Sequence, residues 1–80
     1  MKLYIKTWCP WCLSAREWLD QRGFSYHPID VEADKAAFAT MTTLSGQSKT
    51  PTLVLEDGRI LADFGPEELE AFVKEHSLTP

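Results

Sequence analysis

Residues 2–12 read Lys2-Leu3-Tyr4-Ile5-Lys6-Thr7-Trp8-Cys9-Pro10-Trp11-Cys12, and the change of pattern inside them decides the fold. Lys2 to Lys6 alternate polar and apolar, the period of a strand with one face buried. Pro10 then suits the first turn of a helix, whose N–H groups lack intrahelical partners anyway. The spacing predicts a helix from about Pro10 to Arg22, with Leu13, Trp18 and Leu19 on its buried side and Gly23 as its C-cap. Two cysteines therefore fall at a strand-to-helix junction, Cys9 at the cap and Cys12 one turn inside.

Working outward, Phe24 to Ile29 reads as a second strand. Pro28 within it cannot donate to a ladder, which places that strand at a sheet edge. Asp30 is the expected N-cap of a second helix running to about Ser45 and ended by Gly46, with Ala33, Ala37, Met41 and Leu44 on its inner face. Thr52 to Leu55 is strand-like, Asp57-Gly58 signals a hairpin, and Arg59 to Ala62 returns as the partner strand. Pro66 opens a last helix with Glu67 and Glu68 in its electropositive first turn, and Leu69, Phe72, Val73 and His76 follow at helical spacing. The order is β-α-β-α-β-β-α. An α/β fold with a mixed four-stranded sheet and helices on both faces satisfies it. No linker, repeat or low-complexity stretch interrupts residues 1–80, which read as one domain.

Composition excludes several function classes. The formal charge of −4 and the lack of a basic run argue against a nucleic-acid partner. Residues 1–40 carry five basic and five acidic side chains, residues 41–80 three and seven; the acidic half reads as solubilising. No apolar run has the length of a membrane span or a signal peptide, so a cytoplasmic protein is expected. In that compartment a cysteine pair is more often catalytic or metal-binding than structural. A disulfide closing so short a loop would add little stability.

The cysteine pair carries the chemistry. Unpartnered N–H groups and the dipole at a helix N-terminus stabilise a thiolate. Cys9 is then a nucleophile toward a disulfide, and the more buried Cys12 attacks the mixed disulfide to release the reduced substrate. A structural zinc site needs four ligands, whereas the chain offers two cysteines and the distant His27 and His76; no metal is expected. Pro51, in Lys49-Thr50-Pro51-Thr52, reads either as a strand-start proline or as a cis-proline facing the cysteine loop. In the second case Thr50 would offer its N–H and C=O to an extended substrate, and Pro51 would hinder metal capture.

The segments Lys6-Thr7-Trp8-Cys9-Pro10-Trp11-Cys12 and Gly46-Gln47-Ser48-Lys49-Thr50-Pro51, in this order on these elements, resemble a dithiol glutaredoxin over nearly the whole chain. The resemblance implies the thioredoxin fold and glutathione-linked disulfide reduction, with Trp11 replacing the usual Tyr. It also implies that Lys6 contacts the glycine carboxylate of glutathione and the thiolate, and that Gln47 reaches the same carboxylate. A solvated lysine and a loop glutamine are the plain alternatives. Thr50 stands where the family usually has Val and keeps a main-chain role. Trp8 either lines a substrate groove or is a half-exposed loop aromatic. The family's Gly-Gly and following Cys-Asp or Ser-Asp are replaced by Leu61-Ala62-Asp63-Phe64-Gly65. Asp63 is the remaining candidate for the glutathione ammonium, on a surface altered by Ala62 and Phe64. Phe64 to Glu67 is similar to the Phe-x-Pro-Asp of redoxins that serve ribonucleotide reductase and take electrons from thioredoxin reductase.

Three functions follow as expectations. The first is a monomeric dithiol oxidoreductase recycled by glutathione and glutathione reductase, acting on protein disulfides and glutathione mixed disulfides in cell redox homeostasis. The second is a redoxin reduced by thioredoxin reductase. The third is an iron–sulfur carrier, against which Pro10 and Pro51 both count.

Overall fold

A computed structural model describes residues 1–80. The elements are β1 (Lys2–Ile5), α1 (Pro10–Gln21), β2 (His27–Asp30), α2 (Lys35–Ser45), β3 (Thr52–Val54), β4 (Ile60–Ala62) and α3 (Pro66–Glu75). They form one four-stranded mixed sheet in the order β2-β1-β3-β4. β1 runs parallel to β2, and the pairs β1–β3 and β3–β4 are antiparallel. The expected element order and the edge position of β2 with its Pro28 are both observed.

Alternation on β1 and β3 sorts the core into two layers. Leu3 and Leu53 are register partners, and with Ile5 and Leu55 they join Cys12, Ala15 and Leu19 of α1 and Leu69 and Phe72 of α3 in one cluster. Tyr4 faces the other way and meets Val31 and Met41, with Val54 packed alongside. Helices α1 and α3 thus cover one face and α2 the other. Each fully buried leucine contributes about 1.5–3 kcal/mol, against ~1 kcal/mol for a good cap. The apolar stripe therefore sets where each helix lies, and the cap sets where it begins.

Several boundaries differ from the sequence reading, each for a local reason. Asp30 does not cap α2. Its Oδ1 accepts the N–H groups of Glu32 and Ala33 in a tight turn, and Val31 stays on the ladder by donating to the Ile5 carbonyl at 3.0 Å. The helix starts four residues later, where Asp34 Oδ1 accepts from Ala36 and Ala37. Ala33 therefore lies outside α2 and is exposed, and Leu44 is 49% exposed, so only Met41 of that stripe is fully buried. On α1 the buried stripe is Cys12, Ala15 and Leu19. Leu13, one residue off it, points to solvent, and Trp18 is half-buried against Phe24. β2 begins at His27 rather than Phe24, and β3 and β4 are each one residue shorter than expected. Arg22 is the C-cap of α1; Gly23 follows it at φ +77°.

Candidate active site

The junction of β1 and α1 builds the site. Cys9 is the N-cap of α1, with extended backbone (φ −77°, ψ 117°). Its sulfur occupies the place where Ser, Thr or Asp oxygens usually satisfy free helical N–H groups. The Cys12 N–H donates to Cys9 Sγ at 3.3 Å. As a thiol, Cys9 donates in turn to the Thr50 carbonyl at 3.9 Å. Burial pushes the Cys9 thiol up, but the Cys12 side chain, the Cys12 N–H, the Thr50 side chain and the Trp11 N–H outweigh it and hold Cys9 below its ordinary 9.0. For Cys12, burial and its role as donor to Cys9 raise the thiol to about 11. Cys9 retains 7% exposure and Cys12 none. One sulfur is poised to ionise at the surface; the other stays protonated beneath it.

Thr50 and Pro51 cross over this junction, joined by a cis peptide bond. The loop that carries them is fastened by Gln47. Its Nε2 donates to Ser45 Oγ and Thr52 Oγ1, at 2.9 and 3.0 Å, while its Oε1 accepts the Lys49 N–H. Gln47 therefore braces this loop, with both amide N–H groups and its carbonyl oxygen in use. Thr52, buried in the sheet, is satisfied by the same network and donates to the Lys49 carbonyl at 2.8 Å.

Two tryptophans flank Cys9, and both are largely exposed: Trp8 at 65% and Trp11 at 60%. The Lys6 Nζ lies 5.6 Å from the centroid of the Trp8 ring. Trp11 lies over Gly65, where a Cβ would come within 3.0 Å of its ring. Together with Asp63, Phe64, Pro66, Glu67 and Glu68, these two residues line a groove of about 500 Å³. Asp63 sits there at φ +53°, its N–H donating to the Pro51 carbonyl at 2.9 Å and its carboxylate 3.8 Å from Lys49 Nζ. Phe64 is buried in the main core and at the same time lines this groove. His27 and His76 lie on β2 and at the end of α3, outside the junction. No group of three or more His, Cys, Asp or Glu side chains could hold a metal ion.

Residues 1–60 match the family model described as Glutaredoxin. The chain belongs to the glutaredoxin family. Among relatives of this glutaredoxin, an uncharacterized glutaredoxin-like 8.6 kDa protein in the rubredoxin operon of Clostridium pasteurianum is 28% identical over 74 residues, covering 92% of this chain and 97% of the relative. A putative glutaredoxin of Mycobacterium tuberculosis is 28% identical over 72 residues, covering 89% and 86%. A mutant of a thioredoxin-like protein superposes with a TM-score of 0.80 at 30% identity, over 91% of this chain and 92% of that one. The glutaredoxin-like NrdH-redoxin of Escherichia coli has a TM-score of 0.71 at 21% identity, over 88% and 90%. A buckwheat glutaredoxin–glutathione complex has 0.72 at 20%, over 94% and 68%. These last two establish a shared thioredoxin fold. No helix of this glutaredoxin is long and apolar enough to cross a membrane.

Sequence reasoning missed three residues around this junction. Glu32 accepts the Trp8 indole N–H at 2.6 Å from 24 positions away. Lys49 pairs with Asp63, and Gly65 makes room for Trp11. Only Gly65 left a trace in the sequence, as a side-chain-free residue just before a helix-opening proline.

Proposed function

We propose that this glutaredoxin is a dithiol thiol–disulfide oxidoreductase acting on protein disulfides and glutathione mixed disulfides. One observation carries the reading: Cys9 Sγ caps α1 and receives the Cys12 N–H. The Cys9 thiolate attacks one sulfur of the substrate disulfide, forming a mixed disulfide and expelling the other sulfur as a thiolate that takes up a proton. Cys12 then loses its proton and attacks Cys9 Sγ. The Cys9–Cys12 disulfide forms, the substrate leaves with the electron pair as its second thiol, and the protein is oxidised by two electrons. Thr50 supplies main-chain groups beside the sulfur for an extended substrate segment. Trp8, Trp11 and Pro51 shape the approach. Two electrons from an external thiol or reductase return the protein to the dithiol.

Glutathione is the reductant expected from the family, with Lys6, Gln47 and Asp63 as its receivers. The arrangement of those residues favours a second reading. The Gln47 amide is engaged within its own loop, and Glu67 and Glu68 add two carboxylates to the groove beside Trp11, beyond the Asp63 that would meet the ammonium, which disfavours an anionic tripeptide. Both features fit a redoxin recharged by thioredoxin reductase that donates onward to a reductase such as ribonucleotide reductase. Supplying glutathione with glutathione reductase, or thioredoxin reductase alone, and following NADPH consumption with a disulfide substrate separates the two. Turnover with only the first supports glutathione, and turnover with only the second supports the redoxin. Turnover with neither, when dithiothreitol also fails to drive reduction, overturns the oxidoreductase reading. Cys12→Ser should still remove glutathione from a mixed disulfide, a step that uses one thiol, and Cys9→Ser should not.

A further inference from the structure

We infer that Glu32 is a positioning residue for substrate binding, acting through Trp8. This rests on the dithiol reading above and assigns a role to a carboxylate outside the cysteine and proline segments. Trp8 directly precedes Cys9 and, being exposed beside it, is placed to serve as a wall of the substrate's approach. A side chain 65% exposed would ordinarily exchange rotamers, some across Cys9 and some away from it. Here it is held at two electrostatically different places. Its positive edge, the indole N–H, meets Glu32 Oε1 at 2.6 Å; the Lys6 ammonium lies over the electron-rich face of the ring, 5.6 Å from the centroid.

Direction of control follows from which partner is anchored. Glu32 follows Val31, which is 3% exposed and bonded to the Ile5 carbonyl at 3.0 Å. The Glu32 N–H is held by Asp30 Oδ1 at 2.9 Å. The Glu32 backbone is thus held in the turn just after β2; both side chains are exposed, so each fixes the other and the anchored backbone of Glu32 sets where they meet. Glu32 reaches no sulfur and takes no part in bond making. Its effect falls on how well a macromolecular substrate is received, and a small disulfide that needs no wall should not register it.

The test is single-turnover oxidation of the reduced protein by excess insulin, with remaining thiols counted after an acid quench. Glu32→Ala should raise the half-saturating insulin concentration about threefold to fivefold, the scale of one exposed charged contact. The limiting rate, and the rate with hydroxyethyl disulfide, should stay unchanged. Glu32→Gln keeps an acceptor oxygen at the same reach and should restore the half-saturation value. Trp8→Phe removes the N–H while keeping a ring; combining it with Glu32→Ala should add nothing to the half-saturation cost of Trp8→Phe alone. The Trp8 indole proton resonance should move upfield in Glu32→Ala and stay downfield in Glu32→Gln. A half-saturation value equal to wild type in Glu32→Ala, or additive losses in the double variant, would overturn the positioning role while leaving the redox reading intact. A wild-type protein that insulin cannot oxidise would overturn both.

Discussion

At neutral pH a small electrophile should label Cys9 and leave Cys12 untouched, and the size of the difference follows from the two sulfurs' surroundings. With its thiol at about 11, roughly one Cys12 in 10⁴ is ionised at pH 7. Cys9, held below 9.0, exceeds roughly one in 10² at the same pH, so ionisation alone separates them by more than about a hundredfold. The more basic thiolate is the better nucleophile, and a Brønsted slope near 0.4–0.5 returns close to a factor of ten. A selectivity of about tenfold or more remains before access is counted, and access adds to it, since Cys12 has no exposed surface. The assay is iodoacetamide labelling of the reduced protein from pH 5 to 10, with peptide mass spectrometry reporting each cysteine. Cys9 labelling should reach its plateau at a pH below that of an ordinary thiol. Equal labelling of the two at pH 7, or a Cys9 profile centred at 9.0 or above, would refute the helix-cap explanation of its acidity.

Other consequences follow from single contacts. Gly65→Ala places a methyl 3.0 Å from the Trp11 ring on backbone that alanine tolerates (φ −107°), so it should displace Trp11 with little loss of stability; Trp fluorescence should shift while the urea midpoint holds. Asp34→Ala removes the acceptor for two helical N–H groups and should cost ~1 kcal/mol in urea unfolding. Cys9 should add stability to the reduced protein as pH rises toward 9.0. Between its lowered value and 9.0 the folded chain has lost a proton that the unfolded chain retains, so its contribution climbs through that window; Cys12, raised from 9.0 to about 11, works the other way and takes stability away between those two values. Urea titrations at pH 7 and 8.5 should show this climb in wild type and a smaller one in Cys9→Ser.

Much of this was readable in eleven residues. The alternation of Lys2 to Lys6 and a proline between two cysteines define a strand feeding a helix, and the cap sulfur follows from that junction. Pro28 located the sheet edge because a missing N–H is a hard constraint. What stayed hidden depends on contacts distant in sequence or on competing local options. Asp30 and Asp34 are both good caps, and the choice between them is made by Val31, whose burial against Tyr4 and Met41 keeps the strand going one residue further. Leu13 is apolar and helical, yet the stripe that reaches the sheet is set by Cys12, Ala15 and Leu19. Gln47 reads equally as a ligand residue or a loop glutamine, and its bonds to Ser45, Lys49 and Thr52 appear only once the loop has closed. The Trp8–Glu32 bond joins two segments that no local pattern links.

The central claim is a division of labour between two sulfurs, and trapping tests it most directly. Each single-serine variant, reduced and mixed with a disulfide-bonded protein, is run on a non-reducing gel, and the cross-linked cysteine is mapped. The expected result is a stable mixed disulfide through Cys9 in the Cys12→Ser protein and no adduct in Cys9→Ser. An adduct through Cys12 in the Cys9→Ser protein, formed as fast as the one through Cys9, would contradict it.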